Sequence, residues 1–258
     1  MTEPILVVDG MRRTFGGLTA VDVEHFEVPK GRITALIGPN GAGKTTFFNL
    51  VTGFDRPDAG RWTFDGRDVS RASAPRLARM GMVRTFQLTK VLPRMTVLEN
   101  MLLAAPRQTG ERFLGALLPG AWRGQEAENL EKARALLQRF GLEAKAGDWA
   151  GSMSGGQRKL LEMARALMVE PSLLMLDEPM AGVNPALVES LLGHVTSLRD
   201  EGRTVLFVEH DMDVVMSISD QVVCMAQGRV ISEGTPDHVS NDPAVIDAYL
   251  GKSHGAPA

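Results

Sequence analysis

The stretch Ile33-Thr34-Ala35-Leu36-Ile37-Gly38-Pro39-Asn40-Gly41-Ala42-Gly43-Lys44-Thr45-Thr46 decides the fold. A short apolar strand runs into a glycine-rich turn, and Thr46–Val51 continues in a helix-like pattern. Gly38 to Thr45 fits G-x-x-x-x-G-K-[ST], and strand, loop and helix follow in the order this pattern requires. Glycines let successive backbone N–H groups turn inward around phosphate oxygens, and the helix start adds a favourable dipole. Lys44 is suited to neutralise charge between β- and γ-phosphates, and the Thr45 hydroxyl to occupy one octahedral position on Mg2+. Gly38, Asn40, Gly41, Gly43, Lys44, Thr45 and Thr46 are the expected nucleotide contacts. An accidental match is rare at this chain's glycine, lysine and hydroxyl frequencies.

Further along, Leu173-Leu174-Met175-Leu176 is a continuous apolar run ending in Asp177-Glu178. Ligands of open α/β sheets gather at the carboxyl ends of strands, so this acid pair should share an edge with the phosphate loop. Asp177 is then placed to hold Mg2+ through a water, and Glu178 to polarise an attacking water. Two acids after a strand, taken alone, more often mark a solvated strand end. The phosphate loop upstream reverses that preference.

The rest of the chain is consistent with a layered core. Ile5–Val8, Val21–Val28 and Arg61–Phe64 read as strands, with Asp65-Gly66 as a turn. Residues 88–160 change character: Thr96 to Glu99 forms a capping box, and Leu130, Ala133, Leu137 and Phe140 line one helical stripe before Gly141. Gln157–Val169 is helical by pattern. Asn184-Pro185 starts a helix that Gly202 closes, Thr204–Val208 is a buried strand, and Gln221–Ala226 with Val230–Ser232 flank a Gln227-Gly228 hairpin turn. Strand–helix alternation predicts an α/β core with an antiparallel β part and an inserted helical part. The uncharged segment Phe113–Trp122 contains glycine and proline and reads as a loop.

Composition narrows the possibilities. The 258 residues carry 28 Lys+Arg against 31 Asp+Glu, a net charge of −3, so no basic field holds nucleic acid or an anionic membrane. One cysteine, Cys224, excludes an internal disulfide framework and a cysteine-rich zinc site. No basic and apolar leader and no run of about 18 apolar residues is present, which predicts a soluble protein of a reducing compartment. His25, His194, His238 and His254 form no ligand spacing with each other or with Cys224. Of fourteen methionines, Met163, Met168 and Met175 lie in core patterns, whereas Met82 and Met95 are candidates for partner contact.

Ser154-Gly155-Gly156-Gln157 opens a helix, where bare N–H groups and a hydroxyl form an anion site or simply a well-capped start. The ordered set is more specific: phosphate loop, Gln87, Ser-Gly-Gly-Gln, acid pair, then His210 after a strand. The chain resembles ABC transporter ATP-binding subunits over nearly its whole length, with a P-loop NTPase core of ABC type. It is most similar to those of branched-chain amino acid uptake systems. That narrower likeness rests on Thr14-Phe15-Gly16-Gly17-Leu18, Val83-Arg84-Thr85-Phe86-Gln87, Asp177 to Pro185, the Pro106–Arg123 loop and the late Tyr249-Leu250-Gly251.

The resemblance implies that Phe15 stacks on adenine, that Gln87 contacts Mg2+ or the attacking water, and that His210 hydrogen-bonds the γ-phosphate. It places Ser154, Gly155, Gly156 and Gln157 against ATP held by a second ATPase subunit, identical or different. It further implies integral membrane permease subunits, indirectly a solute-binding protein, and a peripheral place on the cytoplasmic face of the cell membrane. Residues 1–87 and 161–235 would form the nucleotide-binding core, 88–160 the helical subdomain and 236–258 a tail. Two positions depart from the family pattern: Met153 replaces a leucine, and Asn184 stands where an aspartate is common, equally a helix N-cap. Lipid-export or urea-import ATPases share these motifs. A soluble ABC switch acting on ribosomes or DNA is a further alternative, disfavoured by the single motif set and the lack of heptads.

Overall fold

The computed structural model describes residues 3–85, 91–106 and 119–250, with 119–123 described by backbone alone. The chain divides into two units, one of residues 1–84, 172–181 and 188–258, the other of 85–171 and 182–187. In chain order the elements are β1 (Pro4–Phe15), β2 (Leu18–Pro29), β3 (Ile33–Ile37), α1 (Lys44–Val51), β4 (Ala59–Phe64), β5 (Arg67–Asp68), α2 (Ala74–Met80) and β6 (Met82–Arg84). The helices α3 (Val97–Leu103), α4 (Pro119–Arg139) and α5 (Gly155–Leu167) follow. Then come β7 (Leu173–Asp177), α6 (Pro185–Asp200), β8 (Thr204–Val208), α7 (Met212–Ile218), β9 (Gln221–Ala226), β10 (Arg229–Gly234), α8 (Pro236–Ser240) and α9 (Pro243–Leu250).

Both sheets belong to the first unit. One has the order β2-β1-β4-β5 and is antiparallel; the other has the order β10-β9-β3-β8-β7-β6. Within the second sheet β9, β3, β8, β7 and β6 run parallel, and β10 returns antiparallel to β9. Every residue of β3, β7 and β8 is buried, as expected for parallel strands covered on both faces. The β9–β10 turn puts Gln227 and Gly228 at φ 50° and 82°, the left-handed pair that matches the strand twist of a tight hairpin.

The two sheets are joined by a core built around α1. Phe47, Phe48, Leu50 and Val51 pack with Val8, Phe26 and Phe64 of the antiparallel sheet and with Leu36, Met175 and Leu206 of the parallel one. Phe26 and Phe47 meet edge to face at 4.8 Å, and each fully buried phenylalanine contributes roughly 1.5–3 kcal/mol. This packing fixes α1, and with it the loop that α1 terminates.

In the second unit, Thr96 and Glu99 form the expected capping box of α3, with Thr96 Oγ1 accepting from Glu99 N–H at 3.1 Å. Buried Asn100 organises the preceding turn: it accepts from Leu92 N–H at 2.9 Å and donates to the Leu92 and Thr96 carbonyls. Ala133, Leu137 and Phe140 are buried as their spacing predicts.

Three sequence expectations need correction. The first strand continues from Val8 to Phe15, past a bulge at Gly10 that interrupts its apolar alternation. Pro119–Trp122, expected as loop, is the first turn of α4; proline and glycine are tolerated there because those N–H groups have no intrahelical acceptor. The rest of that segment, 113–118, lies outside the described residues. Met82 is 3% exposed inside the core, so it offers no partner surface; Met95 is half-buried.

Candidate nucleotide site

The parallel register brings the carboxyl ends of four strands to one edge. Leu36 of β3 and Asp177 of β7 both lie opposite Val208 of β8, and Arg84 of β6 lies opposite Met175. Beyond these positions come Gly38, Glu178, and Glu209-His210, so the phosphate loop, the acid pair and the histidine share that edge.

The loop can be made only with glycine at its two ends. Gly38 has φ +145°, and a Cβ there would lie 2.0 Å from the Met225 carbonyl oxygen. Gly43 has φ +98°, and its Cβ would lie 2.3 Å from the Ala20 carbonyl oxygen. Gly43 also begins α1: its carbonyl accepts from Phe47 N–H at 2.8 Å, and no side chain caps the helix. The Lys44 ammonium arches back over the loop and donates to the carbonyls of Gly38 at 2.6 Å and Pro39 at 3.1 Å. Asn40, Gly41 and Thr45 are exposed, and Thr46 is half-buried.

Asp177 is buried at the last position of β7, its Oδ2 accepting from Arg84 Nη2 at 2.6 Å. Glu178 leaves the strand with φ 46°, a left-handed conformation rare for a residue with a side chain, while its N–H still donates to Val208 at 3.0 Å. Such strain persists where surrounding contacts enforce it, and here it turns two consecutive acids into different environments. Asp177 is buried and paired; Glu178 is half-buried.

Beyond β8, Glu209 is 1% exposed and accepts from the N–H groups of Met180 at 2.9 Å and His210 at 3.2 Å. Burial pushes its carboxyl above the ordinary value, with the neighbouring Glu178 charge adding to the shift against those two hydrogen bonds. Glu209 thereby ties the turn after the acid pair to the backbone of His210. The His210 side chain is 62% exposed, with Nδ1 3.6 Å from Glu209 Oε2. No sequence motif marks Glu209 or Arg84 as a functional residue. The signal for Glu209 was a carboxylate following the all-apolar run Val205–Val208.

Phe15 ends β1 and is 46% exposed. The Arg13 guanidinium lies 4.6 Å from its ring centroid and is anchored by Asp55 at 3.1 Å and Asp58 at 2.9 Å. The Asp58 carboxyl is held below the usual value by the Thr14 N–H and then by Arg13. The ring is thus pinned from one side.

In the second unit, Ser154 caps α5 with a reciprocal pair: Gln157 N–H donates to Ser154 Oγ at 3.2 Å, and Ser154 N–H to Gln157 Oε1 at 3.0 Å. Ser154 and Gly155 are exposed, whereas a Cβ on Gly156 would fall 2.0 Å from Leu187 Cδ2. Asn184 accepts from Leu187 N–H at 3.0 Å, the N-cap arrangement expected for it. Gln87 lies outside the described residues. Among the described residues, no three His, Cys, Asp or Glu side chains form a metal cluster.

A glycine loop opening a helix, opposed by paired acids at the ends of parallel strands, defines a nucleotide-hydrolysing class of protein. A family model described as ABC transporter matches residues 21–181, and one described as branched-chain amino acid ATP-binding cassette transporter matches residues 229–255. The chain belongs to the ABC transporter ATP-binding family, whose members bind and hydrolyse ATP. It is 43% identical to the high-affinity branched-chain amino acid transport ATP-binding protein BraF of Pseudomonas aeruginosa, over 98% of this chain and 100% of the relative. The protein of the same description named LivG from Escherichia coli K12 is 41% identical, again over 98% and 100%. Among solved structures, a nucleotide-free ATP-binding cassette from an ABC transporter superposes with TM-score 0.83 at 38% identity, covering 96% of this chain and 99% of that one. The ADP conformation of an ATP-binding cassette of an ABC transporter superposes with TM-score 0.82 at 37% identity, covering 97% and 100%. These bear out the ABC-type α/β fold.

Proposed function

We propose that the chain is the ATP-hydrolysing subunit of a membrane importer for branched-chain amino acids. The observation that carries the solute class is its end-to-end similarity to proteins described as branched-chain amino acid transport subunits, with a matching C-terminal segment at 229–255. Among the described residues, no helix is long and apolar enough to cross a membrane. We infer a peripheral subunit on the cytoplasmic face, bound to integral permease subunits and paired with a second ATPase.

The sheet edge supports a mechanism for this reading. The loop N–H groups and Lys44 hold the β- and γ-phosphates, and Phe15 supports the adenine ring on its exposed side. The exposed Thr45 hydroxyl and the Asp177 carboxylate are hard oxygen donors that suit Mg2+. Bound there, the ion supplies charge neutralisation to the triphosphate. Glu178 orients the attacking water and receives its proton, and His210 hydrogen-bonds the γ-phosphate. The family resemblance gives Gln87 the role of contacting Mg2+ or the attacking water and relaying its state to a membrane subunit. Ser154, Gly155 and Gly156 face ATP held by the second subunit, so that each complete site draws on two chains. We assign 1–87 and 161–235 to the nucleotide-binding core, 88–160 to the helical subdomain and 236–258 to a tail.

The test is ATPase activity of the chain purified with its native membrane subunits. Leucine, isoleucine and valine, presented with the solute-binding protein, are expected to raise turnover, while urea and polar amino acids leave it at the basal rate. Stimulation by urea alone overturns the solute assignment.

A further inference from the structure

Arg84 belongs to the Val83-Arg84-Thr85-Phe86-Gln87 segment, and the mechanism above gives it no task. It ends β6, at the same sheet edge as Asp177. Its Nη2 donates to Asp177 Oδ2 at 2.6 Å, and the two side chains are 5% and 6% exposed. The other side of the guanidinium is taken up by the helix that follows the phosphate loop. Nη1 donates to Asn49 Oδ1 at 2.7 Å and approaches Thr52 Oγ1 at 3.4 Å. The Phe48 and Phe54 rings lie 5.5 and 5.9 Å from the guanidinium carbon.

A guanidinium is planar and its donors point in fixed directions, so it sets the orientation of a carboxylate as well as balancing its charge. Here the same group is clamped by Phe48, Asn49 and Thr52 of the segment formed by α1 and its cap, and α1 begins at Lys44-Thr45. The helix itself is rigidly packed, with Phe47, Phe48, Leu50 and Val51 fully buried. Arg84 therefore ties the carboxylate at the end of β7 to the helix carrying the Thr45 hydroxyl, 93 residues from Asp177 across one hydrogen bond. One carboxylate oxygen is committed to Arg84, which fixes the direction of the other.

We propose that Arg84 is a positioning residue for the divalent cation: it straps Asp177 to α1 so that Asp177 and Thr45 are held in register as a pair of oxygen donors. The proposal rests on the reading of Thr45 and Asp177 as cation ligands. It accounts for a buried ion pair whose two charges would otherwise be costly to remove from water.

The test is the affinity of the full chain for a fluorescent ATP analogue, measured in EDTA and across a Mg2+ titration, with Asp177→Asn as control. Arg84→Met is expected to bind within about twofold of the parent in EDTA and to need about ten- to a hundredfold more Mg2+ for the cation-dependent gain, the range of one charged hydrogen bond. Arg84→Lys is expected to recover part of that loss. Asn49→Ala, which loosens Arg84 without touching Asp177, should shift the Mg2+ midpoint in the same direction by less. If Arg84→Met fails to fold, Asn49→Ala decides. An unchanged Mg2+ midpoint in the folded variants, with Asp177→Asn impaired, overturns the proposal. Equal loss in EDTA and in Mg2+ also overturns it, since the whole loop is then damaged. An unchanged midpoint in Asp177→Asn itself overturns the ligand reading and the proposal together.

Discussion

Two glycine-containing helix starts of this chain are built in opposite ways. The phosphate loop is enclosed by its own unit: Gly38 and Gly43 press against the carbonyls of Met225 and Ala20, Lys44 folds over the loop, and Asp177 is buried against Arg84. The start of α5 satisfies itself with its Ser154–Gln157 capping box and presents Ser154 and Gly155 outward. The first region is a tightly packed loop beside the left-handed Glu178; the second is a self-capped helix end with Ser154 and Gly155 exposed. On the proposed function, this contrast is how one chain would bind nucleotide alone and still require a partner to hydrolyse it.

The largest expected effect tests the chemistry assigned to the enclosed region. Glu178→Gln should lower phosphate release by about 10²–10⁴-fold, the range of a lost general base, while leaving ATP affinity within about twofold. Normal turnover in that variant removes Glu178 from its role. Glycine substitutions come next. Gly38→Ala drives a Cβ into a backbone carbonyl and should cost about 3 kcal/mol in urea unfolding, whereas Gly155→Ala, with open space around it, should change stability by less than about 0.5 kcal/mol. Similar costs at both positions would erase the distinction between a closed and an open region.

A smaller effect concerns Glu209, which braces the turn behind the acid pair. Its folded-state pKa lies above the ordinary 4.5 because of burial, so the proton is held more tightly folded than unfolded. That contribution to stability is complete below about pH 4.5 and is lost as pH rises through the folded value. Glu209→Gln, which cannot ionise, should therefore gain in melting temperature relative to the parent as pH is raised from 4.5 to neutrality. A difference independent of pH would contradict the raised value.

What could be read from sequence depended on range. The phosphate loop, the buried strands β3, β7 and β8, the Thr96–Glu99 capping box and the helix start at Ser154 were legible because each is written in fewer than ten consecutive residues with its own physical signature. The full length of β1 was hidden by Gly10, where the bulge breaks the period of two. The Arg84–Asp177 strap was invisible for a different reason. It joins residues 93 apart through a parallel register that β6 and β7 share, and no local pattern encodes that neighbour relation. Glu209 has no motif of its own to mark it, although a carboxylate just beyond a wholly buried strand is itself unusual.

The most direct test sets one variant from each region side by side. Lys44→Ala removes the cation from the enclosed loop. Ser154→Asp keeps an N-cap as good as serine, so α5 is preserved, and places a negative charge where the partner's phosphate would sit. With ATP affinity of the isolated chain and turnover of the assembled transporter both measured, Lys44→Ala should lose about ten- to a hundredfold in affinity and lose turnover with it. Ser154→Asp should bind ATP as the parent does and lose turnover by about a hundredfold. If Ser154→Asp weakens binding by the isolated chain as Lys44→Ala does, or hydrolyses ATP at the parental rate, the two-chain active site is wrong.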